Sequence, residues 1–424
     1  MPEKRGRRLQ HQRQYPSSVQ RYQNRLSLSQ LRHPKDISEF LKGVRAAVRE
    51  GFSELIVDLH NVAGFFPNAV VPLAGLLEHY RFQGVSFSIE GVHDLLERTC
   101  FQEPLDPKTE ASVLHSASLN RVWRFDDFDG VTHLVDAFVE ELSHQVEYEV
   151  GIMDGLTWCL NEVMDNVLQH AGSNRGYAMG QVHPNTKHIA FCVYDSGQGI
   201  FNSFRGSQHS PRNSVDAITL SIKEDVTRNR QEGQGNGMWG LHQIVQQNSG
   251  RLSITSGSAS YLMKGNKIRT FAHIPAPSQE TGTTTVDFQL DFETPISVST
   301  ALGGYQPTNV RLENITSETG VIEYRLVDRS SGTGTRKSAG RVRNDILNLY
   351  KESGATVEID FDRISVVSSS FADELLGKLV VQFGFFGFNQ IFRLRNMNDV
   401  VQSIVHRSVS QRMSESFRDT DFET

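Results

Sequence analysis

Residues 161–171, NEVMDNVLQHA, set a carboxylate and a carboxamide one helical turn apart: Glu162 and Asn166, with Asp165 and Gln169 beside them. Leu160, Val163, Val167 and Leu168 project to the other side of the same helix, where a core can take them. An ExxxN pair alone is the polar face of any solvated helix; two later motifs give it chemistry. DSGQG (195–199) ends an apolar strand, and GQGNGMWG (233–240) opens a helix. Asp195, at a strand end, can accept a hydrogen bond from an adenine amino group, and Gly197 and Gly199 let backbone approach a base. Gly233, Gly235 and Gly237, with Gly240 closing the motif, form a loop whose N–H groups can face phosphates. The helix that follows offers its N-terminus to the same charge. Asn166 can lend a neutral oxygen to magnesium, an ion that takes few protein ligands and several waters. Glu162 stands where a base would polarise a water or hydroxyl for attack on a γ-phosphate. The expected cofactors are therefore ATP and Mg2+.

In this order, the three motifs resemble the GHKL ATPase fold shared by gyrase B, Hsp90, MutL and the histidine-kinase catalytic domain. NEVMDNVLQHA corresponds to its N-box, DSGQG to its first glycine box and GQGNGMWGL to its second. The resemblance covers about residues 130–290. It implies an α/β sandwich with a mixed sheet under helices, and a lid of about residues 201–232 closing over Mg-ATP. It also implies that a threonine on the last strand, Thr284 or else Thr283, supports Asp195. In the lid, Lys223, Arg228 and Arg230 are candidate phosphate contacts, or simply charge on a solvated helix. Trp239 reads as packing.

Elements on either side must hold these residues. ELIVDLHNVAGFFPNAVVPLAGLLEHY (54–80) reads as strand, turn and helix, and TVEIDFDRISVVSSSFADELLGKLVVQF (356–383) repeats the layout. A constant offset of 302 superposes Asp58 on Asp360, Leu73 on Leu375 and Gly75 on Gly377, as an internal repeat would. The expected organisation is a basic disordered arm (1–30), a degenerate STAS-like domain (31–125) and the ATP-binding domain (126–295). Connecting strands and a linker (296–340) and a C-terminal STAS-like domain (341–424) complete it. The fold class is α/β (α+β).

The later segment resembles the STAS domain of anti-sigma factor antagonists: an apolar strand, a hydroxyl-bearing turn, and a helix with Leu375, Leu376 and Gly377. In those antagonists the turn reads Asp-Ser-Ser/Thr-Gly, and its first serine is phosphorylated by a GHKL serine kinase. The alignment implies Ser369 as a phosphoacceptor, followed by Ser370, although Ser368 stands where the acid belongs. Both serines equally suit a helix cap. The earlier copy has Phe66, Pro67 and Asn68 there and cannot accept phosphate.

Composition agrees with a folded, membrane-free class. The 424 residues carry a net charge of −6, 38% hydrophobic and 22% charged residues, so the whole is not built to coat nucleic acid. The start is different: Lys4, Arg5, Arg7, Arg8, Arg13, Arg21 and Arg25 face one acid, Glu3, making a nucleic-acid contact or a solvated tail. No run of about 18 apolar residues and no apolar signal core appears. Cys100, Cys159 and Cys192 read as reduced thiols of a cytoplasmic protein. His133 and His144 lack the acid and proline that follow a histidine-kinase phosphoacceptor. Three readings remain open: an ATPase acting as a regulatory switch, a Ser/Thr kinase acting on a STAS-like serine, and a non-catalytic ATP-gated interaction protein. Each takes a protein partner or a second copy.

Overall fold

The computed structural model describes residues 17–170, 175–205, 207, 209–223, 237–272, 282–304 and 310–420. Its centre is a seven-stranded sheet ordered β10-β9-β8-β11-β7-β6-β5. These strands are β5 Trp123–Phe125, β6 Gly176–His183, β7 His188–Asp195, β8 Arg251–Ser256, β9 Ala259–Lys264, β10 Lys267–Phe271 and β11 Thr284–Asp291. Every pairing in it is antiparallel, where the sequence reading expects a mixed sheet. Short hairpins join β6 to β7, β8 to β9 and β9 to β10, and a tight hairpin can only join antiparallel neighbours.

Strand side chains alternate between faces, and here both faces are buried. Phe191 and Val193 of β7, Ile254 of β8 and Phe288 of β11 point into a core with helices α3 Phe128–Gln145, α4 Ile152–His170 and α6 Gly237–Gln247. Intervening residues Tyr177, Met179, Cys192 and Tyr194 point to the far face and join a different core. That core belongs to the first unit, whose long helices are α1 Pro34–Arg49 and α2 Pro67–Phe82. Helix α2 lies directly on β6, β7 and β11. At Gly75 the approach is so close that a Cβ would sit 2.3 Å from the Tyr194 ring. Outside the contact, Glu78 of α2 pairs with Arg175 at 2.6 Å.

The first unit's own sheet runs β1 Val19–Tyr22, β2 Arg25–Leu28, β3 Glu54–Asp58, β4 Ser86–Glu90. Residues 17–28 therefore correct the expected disordered arm. Val19, Leu26 and Leu28 are buried, and a charge-based reading overlooks that alternation. Arg21 pairs with Glu50, and Arg25 with Asp58 at 3.2 Å and Glu90 at 2.7 Å. Lys4, Arg5, Arg7, Arg8 and Arg13 lie outside the described residues. Strand β5 places the sheet's edge just before the boundary expected at 126.

The last unit is a parallel sheet of β12 Ile322–Arg325, β13 Val357–Asp360 and β14 Phe392–Arg395. Its helices include α7 Arg336–Ser353, α8 Lys378–Ile391 and α9 Asp399–Thr420. Strand β12 comes from the segment expected to be a connection. The repeat is visible in three dimensions: β3 and β13 each lie between parallel neighbours, and each ends in an aspartate, Asp58 or Asp360. Each aspartate accepts a backbone N–H two residues on, from His60 at 3.2 Å and Asp362 at 2.8 Å.

Helix α7 packs along α3 through a buried polar seam. Asn348, fully buried, donates to the carbonyls of Ser143 at 3.0 Å and Val146 at 2.9 Å, and accepts from the Tyr148 N–H at 3.0 Å. Asp345, also fully buried, accepts from Ser143 and, at 3.0 Å, from the Tyr324 hydroxyl; His144 Nε2 lies 3.3 Å away. His144 thus lies beside the buried Asp345 carboxylate, while His133 is exposed. All three cysteines are free, and burial pushes the thiols of Cys159 and Cys192 up.

Candidate functional site

Glu162 and Asn166 both lie half-buried on the face of α4 that meets the start of α6, while Leu160, Val163 and Val167 are in the core. Asn166 Nδ2 donates to the Glu162 carbonyl at 2.5 Å. Since a carbonyl only accepts, this assigns Nδ2 to that bond and leaves Oδ1 as the side chain's acceptor. Burial raises the Glu162 carboxyl, with the neighbouring Asp165 charge adding to it. A group held that way is a better base near neutral pH than a solvated carboxylate. Gly237 opens α6 against this pair. A Cβ there would meet Glu162 Oε2 at 2.2 Å and Asn166 Nδ2 at 3.5 Å, so a larger residue would displace the Glu162 carboxylate.

Asp195 closes β7 on the helix-covered face of the sheet and is 5% exposed. It accepts from the Gly197 N–H at 2.8 Å and from the Thr284 hydroxyl. Burial outweighs both and lifts its carboxyl to about 7. Thr284 Oγ1 in turn lies 3.2 Å from Ser256 Oγ, which accepts from the Ile200 N–H at 2.8 Å. Each hydroxyl has one proton, so the line has a single direction: Ile200 N–H to Ser256, Ser256 to Thr284, Thr284 to Asp195. Three adjacent strands and the start of the Gly199–Ser203 helix are thereby aimed at one carboxylate. Thr284, rather than the buried Thr283, faces Asp195.

The glycines divide by role. Gly199 has φ +72°, and a Cβ on it would press on Ser256 Oγ at 3.1 Å and on Gly282 at 3.2 Å. Gly282, unnoticed in the sequence, touches the same loop so closely that a Cβ would lie 1.9 Å from the Gln198 carbonyl. Gly240 corrects an expectation: it is buried under the Trp158 ring, 2.1 Å from a would-be Cβ, and serves helix packing. Trp239 packs against the central core as expected. Lys223 is exposed just beyond helix α5 Ser214–Ser221. Gly233, Gly235, Arg228 and Arg230 lie outside the described residues. Among the described residues no cluster of His, Cys, Asp and Glu could hold a metal, and no helix is long and apolar enough to cross a membrane.

The last unit carries the other candidate residues. After β13 the chain turns through Ser368, whose hydroxyl accepts from the Phe371 N–H at 3.0 Å and caps the Ser369–Ala372 helix. A wide helical turn, Asp373–Gly377, follows before α8. Residues 338–402 match DUF4325, a STAS-like domain of unknown function. In this STAS-like domain Ser369 is exposed and Ser370 half-buried, with Ser370 Oγ 3.0 Å from Ser368 Oγ. The capping role weighed for Ser369 and Ser370 falls to Ser368 instead. Asp373, salt-bridged to Arg412 at 2.7 Å and Arg336 at 3.0 Å, is held below the usual carboxylate range.

No curated protein matches the chain. Among solved structures, the mycobacterial sensor histidine kinase MprB is similar over 40% of this chain and 95% of that one, with 17% identity and a TM-score of 0.22. A likeness that slight adds nothing to the site, which rests on its own residues.

Proposed function

We propose that the central unit binds Mg-ATP as a GHKL-type domain and works as an ATP-hydrolysing regulatory switch, with its STAS-like modules as partner surfaces. The observation that carries this reading is the directed line Ile200–Ser256–Thr284–Asp195. It supplies a buried acceptor at a strand end, as recognition of an adenine amino group requires. Glu162 and Asn166 support it from the other side, where Gly237 lets the Glu162 carboxylate lie against the start of α6. Magnesium, when bound, would offset charge on the phosphates, and Asn166 Oδ1 is the neutral oxygen that would help hold it. Glu162 would take the proton of the attacking water, its raised carboxyl suited to that transfer.

Calorimetric titration of the full chain with ATP and magnesium tests the reading. Binding that is lost in Asp195→Ala and kept in Glu162→Ala supports it; wild-type affinity in Asp195→Ala refutes it.

Exposure of Ser369 favours a second reading, in which the phosphoryl group goes to that serine instead of water. Incubation with γ-labelled ATP separates the two. Label retained on the chain and absent from Ser369→Ala indicates a kinase, whereas free phosphate with an unlabelled chain indicates an ATPase.

A further inference from the structure

The far face of the central sheet holds a cavity of about 700 Å3, between the strands and helices α1 and α2. Its volume lies in the range of small-molecule sites, about 300–1,000 Å3. Alternation along the strands keeps it apart from the Asp195 site. Tyr194, Thr285 and Asp287 face this cavity, while Asp195, Thr284 and Val286 face the helices.

The cavity's polar groups are incompletely paired. Tyr194 is 1% exposed, and its hydroxyl is buried without a hydrogen-bond partner among the described residues. Asn68 donates its amide to Asp287, and its Oδ1 is likewise buried and unpartnered. Both atoms are closed off from the cavity by their neighbours, so apolar and basic side chains set its open lining. The walls between are apolar, with Pro72 and Leu76 from α2 and Leu262 from β9. Exposed Lys42, Lys267 and Arg269 line the same cavity and make its mouth basic. Glu39, the nearby acid, is engaged by the Ser17 and Ser18 hydroxyls at 2.6 and 2.9 Å.

We infer that this cavity binds a small organic anion with an apolar body. Its body would lie against Pro72, Leu76 and Leu262, and the anionic end toward Lys42, Lys267 and Arg269.

The probe 8-anilinonaphthalene-1-sulfonate has both parts: an aromatic body and a sulfonate. Titrated into the full chain, it is expected to show one saturable fluorescent site that excess Mg-ATP leaves in place. Leu262→Trp, which fills the cavity from a position already 37% exposed, abolishes that site. Lys267→Glu with Arg269→Glu, on an exposed strand, weakens it about tenfold, equivalent to about 1.4 kcal/mol. Absence of saturable dye binding, displacement by Mg-ATP, or wild-type affinity in the charge-reversed variant overturns the inference. The charge-reversed variant decides alone if Leu262→Trp does not fold. Failure here leaves the Asp195 reading intact, because that site is tested by ATP titration.

Discussion

Thr284 stands directly opposite Asp195 in the antiparallel β7–β11 pair and gives its hydroxyl proton to the aspartate carboxylate. Thr284→Val keeps the shape and removes that donor. A hydrogen bond to a charged group is worth about 1.5–3 kcal/mol, so ATP affinity is expected to fall by about tenfold or more, read by calorimetry.

Asp195 also sets a pH dependence. Its carboxyl sits at about 7 in the folded chain, above its ordinary value of 3.8. The folded state therefore holds the proton through the interval where the unfolded state has lost it, and stability falls as pH rises from about 4 to about 7. Recognition of an adenine amino group needs the ionised carboxylate, so ATP affinity rises over the upper part of that window and levels off above about 7. Asp195→Asn flattens both profiles, as thermal melts and titrations across pH would show. Asp287, at about 7 for the same reason of burial, contributes to the stability slope alone.

Glu162 and Asn166 separate binding from turnover. Glu162→Ala is expected to retain ATP and lose about 10²–10⁴-fold in hydrolysis, the usual contribution of a positioned base. Asn166→Ala should weaken binding only when magnesium is present. Phosphate release and titrations with and without EDTA distinguish them.

Glycine sites give a steric control. Gly237→Ala forces a Cβ to within 2.2 Å of Glu162 Oε2, and phosphate release should drop while the melting temperature changes little. Gly75→Ala does the opposite. Its Cβ meets the Tyr194 ring, and overpacking of this kind costs about 1–3 kcal/mol of stability, measured by denaturant unfolding.

At the seam between α3 and α7, Asn348→Ala strands the carbonyls of Ser143 and Val146 and the N–H of Tyr148. With a cost of about 1–3 kcal/mol for each buried group left unmade, this substitution should be the most destabilising proposed. A loss below about 1 kcal/mol in denaturant unfolding would mean that water replaces the side chain.

Much of the helix-side site was legible in the sequence because its parts are local. Glu162 and Asn166 are one turn apart, and DSGQG declares a strand end and a loop within five residues. Ser256 was not legible: it becomes important only through the register that sets it beside Thr284. The far-face cavity was hidden for the same reason, since the parity of Tyr194 and Asp287 matters only once α2 is known to cover that face. Gly240 misled because a glycine that admits a Trp158 ring and one that admits a phosphate look alike in sequence. The β1–β2 hairpin was masked by its arginines, whose acidic partners come from three other elements. Of the outer units, the strand-turn-helix pattern around Asp360 was readable, whereas β12 was too short and too mixed to announce itself.

The docking of α2 on the far face also governs the order in which the chain can be completed. Glu78 must wait for Arg175, 97 residues later, and Tyr148 for Asn348, 200 residues later. Contacts closed over such spans slow folding, and a helix as apolar as α2 is exposed during synthesis until the strands that cover it emerge. The first unit is thus an unfinished half on the ribosome. A stall between residues 83 and 176 leaves its apolar side open to aggregation or to chaperones.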